Sequence, residues 1–122
     1  MLNTAIIGLG PHGKRLFEIV KKKSKLNLVG IVDSNKSVLK KIKFDESKKF
    51  SNIKALYEDN KIDLLVITTN GPSHFSIAKY AILKNVKRLF ISKPLTTNLE
   101  EARHLLKLAD KNDVRVVVDH GL

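Results

Sequence analysis

Residues 6–20 read IIGLGPHGKRLFEIV. Gly8, Gly10 and Gly13 fall in the spacing G-x-G-x-x-G, a pattern short enough to recur by chance. What flanks it decides its meaning. Ahead of it, residues 3–8 (NTAIIG) form a short apolar run ending in glycine, as a buried strand does. Behind it, residues 11–23 take up a helical period that sets Leu16, Ile19, Val20 and the stem of Lys23 on one face. Strand, glycine loop and helix is the setting in which this spacing grips a dinucleotide. In that setting Gly8 allows the tight turn, Gly10 lets a pyrophosphate approach the backbone, and Gly13 lets the helix pack closely on the sheet. Amides near His12 and Gly13 then point at the phosphates, aided by the helix dipole. Pro11 has no N–H and contributes shape.

A second strand, residues 26–33 (LNLVGIVD), ends in Asp33, 20 residues beyond Gly13. A carboxylate there can accept hydrogen bonds from an adenosine ribose. It also repels a 2′-phosphate, which favours NAD, while nearby Lys36 softens that exclusion and leaves NADP open. The other role open to Asp33 is to cap the turn or helix that follows it.

The same alternation continues along the chain. Residues 35–43 read as a short helix, and residues 51–61 as a helix with Ser51 as its candidate cap. Residues 62–69 (IDLLVITT) are the clearest strand. Residues 71–85 follow as a helix with Pro72 near its first turn and Ile77, Ala78, Ala81 and Ile82 on one face. Residues 86–92 are a strand, residues 98–112 a helix, and residues 114–119 a last strand. That last helix has the strongest start signal, with Thr97 or Asn98 ahead of Glu100 and Glu101. The strands are continuous apolar runs, so both sheet faces are expected to be covered. Alternating units of this kind make a doubly wound α/β domain with a mostly parallel sheet and right-handed crossovers.

The bulk properties agree with one globular domain. The chain has 122 residues, 43% hydrophobic and 29% charged, and no cysteine, which excludes disulfides and thiolate metal sites. No apolar run approaches the roughly 20 residues a membrane span needs. Gly8 interrupts the stretch where a signal peptide would stay apolar, so a cytoplasmic location is expected. The net charge of +11 raises the question of nucleic acid. Lysines outnumber arginines 19 to 4 and scatter over KKKSK (21–25), KKIK (40–43) and SKKF (47–50), with Phe44 and Phe50 as the nearby aromatics. Nucleic-acid surfaces favour arginine and interleaved aromatic rings, so a lysine-biased composition is the preferred reading. No nucleic-acid or membrane partner is expected, and the sequence does not fix an oligomeric state. His12 and His104 have no companions at metal-ligand spacing, so no metal is expected either.

Residues 68–85 (TTNGPSHFSIAKYAILKN) and 90–120 (FISKPLTTNLEEARHLLKLADKNDVRVVVDH) resemble the N-terminal Rossmann domain of the GFO/IDH/MocA oxidoreductases. The resemblance covers essentially residues 1–122 as one dinucleotide-binding domain. It implies an NAD(P)-dependent dehydrogenase of sugars, inositols or related polyols, some members acting on sugar nucleotides. Thr69 and His74 match the family's Thr and His after the central strand, and Asn70 stands where a proline is usual. These three, with Lys93 and Pro94 of the family's Lys-Pro pair, are implied cofactor contacts, and Lys93 is the implied catalytic residue. His120 matches the His after the last strand. Ser92 replaces the usual glutamate before Lys93, which takes a carboxylate out of the site. The family's second α/β domain, which holds the substrate, is absent from these residues. The expectation is a domain that binds NAD and is inactive by itself. The alternative is a non-enzymatic Rossmann module that binds a nucleotide or a partner protein.

Overall fold

The computed structural model describes residues 1–119. Its strands are β1 (Leu2–Ile7), β2 (Leu26–Val32), β3 (Lys49–Phe50), β4 (Leu64–Ile67), β5 (Arg88–Ser92) and β6 (Arg115–Asp119). Between them lie α1 (Pro11–Lys21), α2 (Lys36–Lys40), α3 (Ile53–Asp59), α4 (His74–Leu83) and α5 (Leu99–Lys111). The strands form one sheet in the order β3-β2-β1-β4-β5-β6, every neighbouring pair parallel. Among the described residues no helix is long and apolar enough to cross a membrane.

The apolar runs are continuous because alternate residues serve different cores. Ala5 and Ile7 of β1 pack with α3, α4 and α5 through Leu56, Ala78, Ile82 and Leu105. Ile6, between them, points the other way into a cluster with Phe17 and Val20 of α1 and Leu39 of α2. A strand buried on both faces therefore needs an apolar residue at every position. From β1 the chain winds outward to β3, then crosses to β4 and winds the opposite way to β6. The reversal leaves a crevice beyond the carboxyl ends of β1 and β4, where such sheets hold ligands.

Several local expectations are corrected. The buried face of α1 is Gly13, Phe17 and Val20, whereas Ile19 is 45% exposed. Both triplets suit a helical period. Phe17 is preferred because its ring stands edge-on to Phe44 at 5.3 Å, which completes the cluster beneath α2. Strand β3 escaped the sequence reading because it is two residues long in a lysine-rich stretch. The cap of α3 is Asn52, whose side chain accepts from the Ala55 amide at 2.9 Å, and not Ser51. Pro72 lies in a 3-10 turn, Gly71–Ser73, ahead of α4. At α5 the choice falls on Asn98, which accepts from the Glu101 amide at 2.8 Å.

Candidate functional site

Beyond the carboxyl ends of β1, β2 and β4 lies an open cleft of about 560 Å³. Its floor is the glycine loop. Gly8 has φ +99°, a conformation L side chains rarely adopt, and a Cβ there would come within 2.7 Å of the Thr68 and Thr69 backbone. A Cβ on Gly13 would sit 1.8 Å from the Gly8 carbonyl oxygen, so α1 can approach β1 this closely with glycine alone at that position. Gly10 differs from both. A Cβ there meets nothing within 4 Å, and the residue lines the cleft.

Gly10 is also the N-cap of α1, and it supplies no side-chain hydrogen bond to the helix. Its carbonyl accepts from the Lys14 amide at 2.8 Å. Pro11 has no N–H, and the His12 and Gly13 amides lack intrahelical acceptors because they lie in the first turn, with no helical carbonyl four residues before them. By contrast, α2, α3 and α5 are each capped by an asparagine side chain. The first turn of α1 thus presents donors and a positive helix end beside the cleft.

Asp33 performs two tasks. One carboxylate oxygen accepts from the Leu9 amide at 2.8 Å, which ties the end of β2 to the glycine loop. The other accepts from the Asn35 amide at 2.9 Å, so Asp33 does cap the turn that follows it. Each oxygen has a further lone pair, and Asp33 lines the cleft. The wall beside it is Ser51, Asn52 and Ile53, with Ile77 of α4 contributing apolar surface. No lysine or arginine is among the described residues lining the cleft.

On the β4 side, the Thr68 hydroxyl hydrogen-bonds the Gly8 carbonyl and lies 3.2 Å from the Ile7 carbonyl, so it steadies the loop from below. Thr69 and Asn70 line the cleft, and the Ser73 hydroxyl lies 2.6 Å from Thr69 Oγ1. His74 does not line it. Its ring is fully buried, with Nδ1 2.7 Å from the Pro94 carbonyl and Nε2 2.9 Å from the Thr69 carbonyl.

Lys93 and Pro94 are exposed in the turn after β5 and lie outside the cleft lining. The Lys93 amide donates to the Asp119 carbonyl at 2.8 Å. The Ser92 hydroxyl donates to Ile67 O at 3.2 Å, and Ser92 pairs in register with Asp119 on β6. His12 reaches across to that strand. Arg15 Nη2 donates to His12 Nδ1 at 3.3 Å, which leaves Nε2 to donate to the Asp119 carboxylate at 2.7 Å. His120 lies outside the described residues.

Sequence reasoning thus named Gly8, Gly10, Asp33, Thr69 and Asn70 of the cleft lining, with Pro11, His12 and Gly13 beside it. The lining residues it missed include Thr68, Ser51, Asn52, Ile53 and Ile77. The Thr68-Thr69 doublet at a strand end was a usable signal. The other side chains belong to a segment brought in by the undetected strand β3 or, for Ile77, to a helix face already explained by packing. No group of three or more His, Cys, Asp or Glu able to hold a metal occurs among the described residues.

Comparison with known proteins places this geometry. Residues 2–120 match the model of the GFO/IDH/MocA family, described as an oxidoreductase family with an NAD-binding Rossmann fold. The chain is 28% identical over 120 residues to the UDP-N-acetylglucosamine 3-dehydrogenase of Acidithiobacillus ferrooxidans, covering 98% of this chain and 37% of that one. It is 44% identical over 59 residues to the uncharacterized oxidoreductase YdgJ of Escherichia coli K12, covering 48% of this chain and 17% of YdgJ. The fold matches the crystal structure of an Agrobacterium radiobacter oxidoreductase in complex with NAD+, L-tartaric acid and magnesium. That match has a TM-score of 0.88 at 23% identity and covers 96% of this chain and 34% of that one. The chain spans about a third of the length of the relatives it matches from end to end. With the family model matched over nearly every residue and the glycine loop at the switch point of a parallel sheet, the chain belongs to the GFO/IDH/MocA oxidoreductase family as an NAD-binding Rossmann domain.

Proposed function

We propose that the cleft at the β1–β4 switch point holds NAD, with the pyrophosphate at the first turn of α1, the adenosine beside Asp33 and Ile53, and the nicotinamide end toward Lys93. The residues present fit that group. Gly10 leaves open space where a Cβ would stand, the His12 and Gly13 amides have no intrahelical acceptors, and the Asp33 carboxylate keeps lone pairs for ribose hydroxyls. Phosphate charge would meet amides and the helix dipole there, not ammonium groups. The Asp33 carboxylate disfavours a 2′-phosphate, so NAD is preferred over NADP. The single observation that carries this reading is the convergence of Gly10, the uncapped α1 and Asp33 on one cleft.

When bound, the nicotinamide supplies the hydride acceptor or donor. Lys93, an exposed ammonium at the carboxyl edge of β5, orients a substrate hydroxyl and steadies the charge that develops as its proton leaves. The complete reaction is hydride transfer between the nicotinamide and a sugar-like secondary alcohol. The sugar nucleotide named for the Acidithiobacillus relative supports that substrate class. Relatives about three times as long support a substrate-holding part outside these residues. A dinucleotide cofactor and the lack of cysteine fit a cytoplasmic location.

The test is a fluorescence titration of the purified chain with NADH, repeated with NADPH. NADH should bind, bind more tightly than NADPH, and shift the Gly10 and Asp33 amide resonances, with no turnover of polyols by this chain alone. Failure of every dinucleotide to bind would refute the reading. A second reading, a nucleotide-binding module without catalysis, is favoured by Ser92, whose hydroxyl is engaged with Ile67 where a carboxylate would adjoin Lys93. It predicts NADH binding with no hydride transfer even in a longer protein that includes a substrate domain.

A further inference from the structure

We propose that His74 is a positioning residue, a buried ring that clasps two carbonyls and so holds the Lys93–Pro94 turn in place against the Thr69–Asn70 loop; the functional part of this inference rests on the NAD-site reading. His74 and Thr4 are the fully buried polar side chains among the described residues. The ring of His74 touches two segments far apart in sequence. Nδ1 lies 2.7 Å from the Pro94 carbonyl and Nε2 lies 2.9 Å from the Thr69 carbonyl.

Carbonyl oxygens only accept, and a neutral imidazole carries one N–H. Both contacts are therefore hydrogen bonds only when each ring nitrogen bears a proton. With a single proton, one nitrogen donates and the other only faces a carbonyl. With two, the ring is a cation buried without a counter-charge, so the tautomer sets which end is held by the hydrogen bond. Among the described residues no ion pair involves His74, and the loop 68–73 contains no charged residue. Lys79 and His104 lie against the ring of the neighbouring Phe75, and the hydrogen-bonding partners of the His74 ring itself are the two carbonyls.

The clasp matters because of what its two ends carry. Thr69 and Asn70 line the cofactor cleft, and Pro94 follows the lysine placed at the reacting end. The segments already touch, since a Cβ on Gly71 would lie 3.2 Å from the Pro94 ring. Van der Waals contact fixes their separation but leaves sliding open, whereas a rigid ring seated between the two carbonyls sets their relative position. His74 therefore acts on cofactor and substrate through other residues while touching neither.

The experiment uses the 15N-labelled chain with three variants. In His74→Asn the side-chain nitrogen can stand in for Nδ1 and keep the Pro94 bond, in His74→Gln it can stand in for Nε2 and keep the Thr69 bond, and His74→Phe keeps neither. Long-range 1H–15N correlation reads which ring nitrogen of His74 carries a proton and so which carbonyl the ring donates to. The Asn variant should chiefly shift the Thr69 and Asn70 amides, the Gln variant chiefly the Lys93 amide, and the Phe variant all of them. NADH affinity should fall about tenfold in the Phe variant, in line with an unsatisfied buried carbonyl, and by less in the other two. Asn and Gln variants with the same pattern of amide shifts would overturn the proposal, and this comparison remains informative if the Phe variant does not fold. The ring and amide signals need no dinucleotide. A chain that binds no NADH would refute the cofactor reading while the clasp is still judged by its own spectra.

Discussion

Replacing Gly10 with alanine separates the fold from the cofactor cradle. Gly10 has φ −69° and ψ −171°, a conformation alanine adopts without strain, and a Cβ there meets no atom within 4 Å. Restricting the unfolded chain should stabilise the protein by about 0.4–1 kcal/mol. Exchanging glycine for alanine at an N-cap removes a similar amount, roughly 0.5–1 kcal/mol. The two effects offset, so stability should stay within about 0.5 kcal/mol and Tm within about 3 °C of the parent. The cofactor meets a different situation. With the pyrophosphate placed as proposed, a methyl group in the floor of the cleft would hold it away from the His12 and Gly13 amides. Loss of one charge-assisted hydrogen bond, worth about 1.5–3 kcal/mol, weakens binding roughly 10- to 100-fold. Gly13→Ala is the control, because its Cβ would lie 1.8 Å from the Gly8 oxygen and must force α1 off β1. It should destabilise the protein by about 3 kcal/mol or more. Chemical denaturation and NADH fluorescence titration read the two quantities separately. If Gly10→Ala binds NADH within about twofold of the parent, the loop is not the cradle and the reasoning fails.

Other substitutions probe neighbouring claims. Asp33→Asn should weaken NADH binding about tenfold and narrow the preference over NADPH, since charge-assisted bonds to Leu9 and Asn35 and the repulsion of a 2′-phosphate are all reduced; an unchanged NADH/NADPH ratio of dissociation constants would contradict that role. Tyr57→Phe should raise stability by about 1 kcal/mol, because the Tyr57 hydroxyl is buried without a partner. Burial, with a smaller contribution from Tyr80, holds the Tyr57 phenol well above its ordinary value of 10.0. The unfolded chain then loses this proton first, so the parent should lose stability as pH rises past that ordinary value, and the phenylalanine variant should lose less in alkaline melts. Asn98→Ala removes the side chain that caps α5 and should lower stability by about 1 kcal/mol in urea denaturation.

The course of the chain was legible wherever local chemistry and tertiary demand coincide. Continuous apolar runs marked the strands because residues such as Ile6 and Ile7 serve opposite cores. Gly8 and Gly13 were legible because close backbone approach leaves room for no other residue, and that constraint is written directly in the residue type. What escaped lacked such a constraint. Strand β3 is held by pairing of Ile31 with Lys49 and Val32 with Phe50, a demand of the neighbouring strand that no local pattern in its own sequence expresses. Missing it hid the Ser51–Ile53 wall of the cleft, because that wall reaches the site only by following β3.

The histidines show the same limit from the side of function. His12 and His74 look alike in sequence, each at the start of a helix behind a glycine-containing loop. Their environments separate them: His12 is half-exposed and donates to a carboxylate on β6, whereas His74 is sealed between two carbonyls. Asp119 lies 107 residues from His12, and Pro94 lies 20 from His74 while Thr69 lies 5 from it, so the cross-chain half of each role is not local in sequence. Each histidine joins segments that the glycine pattern leaves unconnected: His12 ties α1 to the end of β6, and His74 ties the β4 loop to the Lys93 turn. If the dinucleotide lies as proposed, from α1 toward Lys93, its two ends must be held at a fixed separation, since hydride transfer is steeply sensitive to small displacements. On that proposal the bonds of these histidines relate the glycine loop to the lysine turn, which the loop cannot do by itself.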